Sequence, residues 1–368
     1  PCEAVLAGRT AFPDDKTGGV VLLAEAIHYR DAEGRLYKLV HNIYYAVDQS
    51  SLSSLGTDTI TYDRERETIF LVAAATLRPD GTRQEVDPKG TFLQTPQHEA
   101  ANSLYTSQAE LHLVYPNVAP GTITEMIVLI RENTPVMPGE YAAARTFASG
   151  WPTFRERFLV ELPQADWQRM QCLTPAGLEP EVTVPTPGRE RRTWSKNLIP
   201  SSRWEESAPA FAFRNPTVWL TTLSSWDEVA RWFYELAERS AQLGPELKAA
   251  VEQWTAGLTD RQAIIDRLTH VAAYEIRYVG LEFGLAGYAP HSCDEIWKNR
   301  YGDCKDKANF LRALLARKGI RSHVVLLSTD DGGHVEKNSP SWKQFTHAIL
   351  AIEQPGGGYQ FCDPTVKH

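Results

Sequence analysis

The segment Tyr301-Gly302-Asp303-Cys304-Lys305-Asp306-Lys307 decides how the second half of this chain is to be understood. Behind it, Cys304, Ala308, Leu311 and Leu315 repeat at helical spacing, which predicts an amphipathic helix from Cys304 to Lys318, stopped by Gly319. Asp303 is the predicted N-cap. Cys304 then stands in the first turn, beside unpaired backbone N–H groups and the positive end of the helix dipole, an environment expected to lower a thiol pKa. Lys305 or Lys307 would add to that effect, and the Cys304 amide is a candidate oxyanion donor. A cysteine on an apolar helix face is, by itself, a small buried hydrophobe. Two segments nearer the C-terminus change its meaning. Phe345-Thr346-His347-Ala348-Ile349 has strand alternation, with Phe345, His347 and Ile349 on one face. A Pro355-Gly356-Gly357-Gly358 turn leads to a last strand, Tyr359 to Asp363, ending before Pro364. Singly, His347 reads as a structural histidine and Asp363-Pro364 as a turn. Paired across that turn, Asp363 comes beside His347 and both come to the helix tip, which supplies thiol, imidazole and carboxylate in the order of a cysteine acyl-transfer site.

At 368 residues the chain exceeds the usual size of one core. Its net charge of −8 argues against nucleic acid as a partner. No apolar run is long enough to span a bilayer. The chain opens at Pro1 instead of Met, as expected where targeting information has been trimmed away. Five cysteines, Cys2, Cys172, Cys293, Cys304 and Cys362, are scattered without a C-x-x-C pair, which supports neither a disulfide framework nor a zinc ribbon. His291, Cys293, Cys304, His323 and His334 fit no tetrahedral metal template, and a metal would quench the thiolate. No metal and no cofactor are expected.

Residues from about 18 to 200 alternate like strands: Val20–Tyr29, Arg35–Val47, Glu67–Leu77, Thr82–Val86, Glu110–Tyr115, Thr122–Arg131, Arg155–Leu162 and Glu190–Leu198. Short strands punctuated by Gly, Pro and Asn predict an N-terminal antiparallel β-sandwich, residues 1–205. A polar, proline-bearing stretch, 206–224, is expected to be a linker. From 225 to 368 the period becomes helical: Trp226–Ala241 with Ser224 or Ser225 as cap, Pro245–Ala256, and Asp260–Ile276 opened by Thr259. Strands His323–Ser328, Phe345–Glu353 and Tyr359–Asp363 complete an α+β core.

From Trp226 to Thr365 the chain resembles the transglutaminase-like superfamily of papain-like enzymes. The motifs are Ile276-Arg277-Tyr278-Val279, Gly287-Tyr288-Ala289-Pro290, the heptapeptide at 301–307, Phe345-Thr346-His347-Ala348-Ile349 and Asp363-Pro364-Thr365. The likeness is nearest to a bacterial two-domain type whose N-terminal β-domain has no known function, and Val20-Val21-Leu22-Leu23 and Arg78-Pro79-Asp80-Gly81 resemble that domain. The resemblance implies Cys304 as nucleophile, His347 as general base and acid, and Asp363 as orienting carboxylate. Tyr278 and Tyr288 are candidates to complete an oxyanion hole, with packing as their alternative role. Thr346 stands where Asn is expected. Related chains continue past the Asp motif, so a further C-terminal segment is expected to complete the cleft. The resemblance also implies a protein or peptide substrate, a periplasmic or envelope location, and an envelope partner for the β-domain. The same residues serve hydrolysis and transamidation alike, and a binding or scaffolding protein that keeps the fold is the alternative.

Overall fold

The computed structural model describes residues 3–96, 105–202, 211–282, 287–329 and 333–367. They divide into two compact units. The first is built from residues up to Pro96, Gln108–Ser224 and Lys337–Ser339; the second takes the rest.

In the first unit the strands are β1 (Gly19–Arg30), β2 (Leu36–Ala46), β3 (Thr57–Asp63), β4 (Glu67–Leu77), β5 (Arg83–Glu85) and β6 (Thr91–Gln94). A two-residue strand of the second unit, β7 (Tyr105–Thr106), interrupts them. They continue as β8 (Gln108–Val114), β9 (Ile123–Glu132), β10 (Ala142–Thr146), β11 (Thr153–Pro163), β12 (Gln171–Leu173), β13 (Glu181–Thr183), β14 (Arg189–Ile199) and β15 (Thr217–Thr221). Eight of them make one sheet in the order β13-β14-β11-β1-β2-β9-β4-β5, with two three-stranded sheets, β3-β8-β6 and β10-β15-β12.

The β1–β2 hairpin follows from its turn. Asp31 N–H and Gly34 N–H bond to Arg35 O and Asp31 O, the Asp31 carboxylate accepts from Arg35 N–H at 2.8 Å, and Gly34 takes the left-handed φ of 82° that closes the turn. Across the large sheet Phe158 pairs with Ala26, Ala26 with Val40, and Val40 with Val128, so these four share one face. At one end of that face Phe158, Val160, Leu162 and Trp194 pack with Val218 and Leu220 of β15. At the other, Met126, Val128 and Ile130 pack with Leu111 and Leu113 of β8. Both small sheets therefore cover the same face, each closing an apolar core.

Two expectations are corrected by these strands. The sheet is not wholly antiparallel: β1 pairs β11 in parallel, Val21 opposite Thr153 through Tyr29 opposite Glu161, because the long excursion through β2 to β10 brings the chain back in the direction of β1. Residues 217–221, expected in the linker, form β15, the central strand of a small sheet, since Val218 and Leu220 are fully buried against Phe158 and Trp194.

The second unit starts with α1 (Trp226–Ser240), α2 (Pro245–Trp254) and α3 (Arg261–His270). On α1 the buried side chains are Val229, Phe233 and Ala237. Ser225 holds the N-cap position of α1 without a side-chain bond, and α3 is capped by the Asp260 carboxylate on Ala263 N–H, not by Thr259. Beyond His270 the expected helix widens into one π turn, Val271–Glu275. Two short strands follow, β16 (Arg277–Tyr278) and β17 (Leu281–Glu282), then α4 (Cys293–Asn299), β18 (Tyr301–Gly302) and α5 (Cys304–Arg317). β17 pairs with β7, and β16 with β18. The sheet β19 (Ser322–Leu327), β20 (His347–Glu353), β21 (Tyr359–Cys362) is antiparallel throughout. Helix α5 runs through the middle of this unit: Phe310, Leu311, Leu314 and Leu315 are fully buried against Leu247, Val251, Ile265, Leu268, Leu350 and Ile352. Among the described residues no helix is long and apolar enough to cross a membrane.

Candidate active site

The tip of α5 is fixed by a reciprocal capping box. The Asp303 carboxylate accepts from Asp306 N–H at 3.1 Å, and the Asp306 carboxylate accepts from Asp303 N–H at 3.1 Å. Asp306 also accepts from His291 N–H at 2.8 Å and meets His291 Nδ1 at 3.1 Å, so a side chain from outside the helix locks the box. This bond holds the His291 pKa above its ordinary value, against the opposing effect of burial. Gly302 is required by close approach, because a Cβ there would lie 2.8 Å from Asp306 Cβ.

Cys304 opens the helix as a free, half-buried thiol. Its sulfur is met by the backbone N–H of Ala348, the residue after His347. The expected low thiol pKa does not appear. Burial pushes the Cys304 thiol up to about 12, and the neighbouring Asp303 pushes the same way, which outweighs Lys305 and the helix-end amides. Lys305 is buried and already ion-paired to Asp303, and that carboxylate together with Asp306 keeps it charged against the pull of burial. Lys307 serves elsewhere. Its ammonium is buried and donates to the carbonyls of Ile276 at 2.8 Å and Ala273 at 3.2 Å, which the π turn leaves open. Burial, with the charge of Lys367, lowers its pKa to about 8.

His347 is the first residue of β20, preceded by a 3-10 turn at Trp342–Gln344 instead of by two more strand residues. Its Nε2 lies 2.9 Å from Asp363 Oδ2, just past the end of β21. The other Asp363 oxygen accepts from Thr365 N–H at 2.9 Å and Thr365 Oγ1 at 2.7 Å. Burial alone would raise the Asp363 pKa; the bonds from Thr365 and His347 overcome it and hold the carboxylate below its usual range. With Nε2–H given to Asp363, Nδ1 carries the imidazole lone pair.

His347 is bonded to Asp363 directly, and the strand it opens packs Leu350 and Ile352 against α5, the helix that Cys304 opens. Tyr278 is exposed on β16, opposite Gly302 in register, while Tyr288 meets Trp232 at a tilt of 59°, ring centroids 5.6 Å apart. Among the described residues no cluster of three or more His, Cys, Asp or Glu is gathered for a metal. The residues not foreseen are His291, which locks the cap, and the Ala348 amide. The Asp303 and Asp306 spacing of a capping box signalled the first; no side-chain pattern reveals a backbone amide.

Comparison with known proteins bears on the first unit and on the fold. The model of a family described as a domain of unknown function with solved structure, DUF3857, matches residues 32–203, somewhat under half of the chain. No curated protein matches. Among solved structures, a "putative protease" from Parabacteroides distasonis is similar with a TM-score of 0.81 at 15% identity, covering 94% of this chain and 67% of that one. At that identity the likeness is one of fold. A "putative cysteine protease" from Cytophaga hutchinsonii matches at 11% identity and TM-score 0.27, over 61% of this chain and 78% of that one. The periplasmic domain of TgpA from Pseudomonas aeruginosa matches at 16% identity and TM-score 0.25, over 64% and 78%. Overlaps that low carry no argument about fold or chemistry. The fold shared with the Parabacteroides chain is multi-sheet and mostly β, with helices.

Proposed function

We propose that the second unit is a transglutaminase-like centre for cysteine-dependent acyl transfer at amide or peptide bonds. Cys304 is the nucleophile, His347 the general base and acid, and Asp363 the carboxylate that orients it. The observation that carries this reading is the 2.9 Å bond between His347 and Asp363 on the hairpin whose Ala348 amide meets the Cys304 sulfur.

In the first step Cys304 Sγ attacks the substrate carbonyl carbon as its proton passes to His347 Nδ1. The carbonyl π pair moves onto oxygen, and the Cys304 backbone N–H is the proposed donor to that oxyanion. Collapse breaks the C–N bond, the imidazolium protonates the leaving amine, and a thioester remains. Asp363 holds the imidazole in the required tautomer throughout. Water resolves the thioester to an acid, or a primary amine resolves it to a new amide. The fold likeness to a chain described as a protease supports the first outcome. Tyr278 and Tyr288 are the proposed further oxyanion donors. The substrate class is protein or peptide, and an envelope location with the β-unit as an interaction module is carried by the family resemblance alone.

The raised Cys304 pKa is the observation that favours the second reading, a binding or scaffolding protein without turnover. A mixed peptide library incubated with the full chain and a primary amine, read by mass spectrometry, separates the two. New peptide termini or amine adducts are expected with the wild type and none with Cys304→Ala. Identical spectra from the two proteins would leave the non-catalytic reading standing.

A further inference from the structure

In the first unit, one face of the large sheet turns from apolar to polar along a single band. On β11 the inward residues Leu162, Val160 and Phe158 are buried in apolar core, but the next inward position is Glu156, 2% exposed. On β2 the same face runs from Val40 to Asn42 and Tyr44, and on β9 from Val128 and Met126 to Thr124, also 2% exposed. Register aligns the change: Glu156 pairs with Ala24 and Ala24 with Asn42, while Tyr44 pairs with Thr124. A sheet face built only to be covered would carry apolar side chains here, because burying a carboxylate and a hydroxyl costs stability.

The two small sheets border this band. It floors a cleft of about 500 Å³, walled by Thr57 and Asp58 at the start of β3, Arg145 on β10, and the segment bearing Ser149 and Trp151. That volume is in the range of small-molecule sites. The indole of Trp151 lies against Gly19, where a Cβ would approach two of its carbons to 3.1 Å, and it meets Tyr44 edge-on at 6.0 Å. Arg145 Nε donates to Glu156 Oε1 at 2.9 Å, and the Tyr115 hydroxyl donates to Asp58 at 2.8 Å. Thr124 Oγ1 is buried with no hydrogen-bond partner. Burial raises both carboxylates, Glu156 to about 7.

We infer that this cleft is a binding site for a neutral polyhydroxylated ligand, a mono- or disaccharide unit. The lining selects it by exclusion and by fit. An apolar ligand would leave the buried Thr124 hydroxyl without a partner. An anion would face two carboxyl groups, and a cation would face Arg145. A sugar hydroxyl both donates and accepts, so it can satisfy carboxylate, amide and guanidinium at once, while the C–H face of a pyranose packs on an indole.

The test is saturation-transfer NMR and calorimetry on the full chain, with glucose, N-acetylglucosamine, cellobiose and chitobiose as neutral probes, and spermidine and citrate as charged ones. At least one neutral saccharide is expected to bind with a Kd of about 1 mM or tighter. Trp151→Ala and Asn42→Ala are each expected to weaken it about tenfold. Cys304→Ala is expected to bind as the wild type does, which separates this site from the proposed acyl-transfer centre. Circular dichroism verifies each variant's fold, and either one folded is enough. Failure of all four saccharides to bind overturns the inference, as does binding of only spermidine or citrate, or saccharide affinity unchanged in the folded variant.

Discussion

A thiol in the first turn of a helix normally gains from the unpaired N–H groups around it, and the sequence around Cys304 invites that expectation. In the structure the balance reverses, because the same cap that shapes the turn puts the Asp303 carboxylate beside a half-buried thiol. The raised thiol pKa favours the neutral form, so under the proposed chemistry His347 removes the proton during attack instead of holding a preformed ion pair. Iodoacetamide labelling of Cys304, followed by peptide mass spectrometry, is expected to rise steadily with pH through 9, since only the thiolate reacts. A plateau near pH 7 would contradict the neutral state. Under the proposed chemistry, Asp363→Asn keeps a side chain of the same shape but no longer fixes the imidazole tautomer. Turnover is expected to fall about 10²–10⁴-fold while substrate KM changes little.

At the scale of elements, α5 is held at its start by contacts that are buried and polar, and these were hard to foresee. The apolar repeat from Cys304 through Leu315 was legible, as were the hairpin around Gly356 and most long strands, because alternation and turn residues are local signals. The parallel β1–β11 pair and strand β15 were not legible. The partner of β1 lies more than a hundred residues away in the chain and those of β15 about fifty and about seventy-five, and short strands of mixed polarity are fixed by packing, not by propensity. Of the candidate site, the place of Cys304 at the helix start and the pairing of His347 with Asp363 were readable; the thiol's environment was not, because it depends on burial. The π turn at 271–275 also went unseen, and it gives Lys307 its role. Lys307→Met leaves the carbonyls of Ala273 and Ile276 without their donor inside the core, and is expected to cost about 2–3 kcal/mol. Gly302→Ala forces a Cβ against Asp306 and disturbs the cap, at an expected cost of about 1–3 kcal/mol. Urea unfolding checks both.

For the whole molecule, the buried ionisable groups set opposite slopes of stability against pH. Glu125 is held at about 2, chiefly by His41, with Arg83 assisting against the effect of burial, and Asp306 is lowered mainly by His291 and Lys305 against burial. Their folded pKa values lie below the unfolded ones, so their contribution is present above pH 4.5 and is lost as the pH falls toward 2. Glu156 runs the other way. Its folded pKa of about 7 exceeds the ordinary glutamate value of 4.5, so the folded state binds the extra proton and stability declines as the pH rises between the two. His291, raised by Asp306, likewise loses its contribution as the pH rises through its folded pKa. Glu156→Gln removes the titrating group while its amide oxygen can still accept from Arg145. The variant is expected to be more stable than the wild type at pH 8, by about 1–3 kcal/mol, with the advantage gone at pH 4.5. Thermal unfolding of both proteins across pH 3 to 8 measures this, and parallel curves would show that Glu156 titrates alike in the folded and unfolded chains.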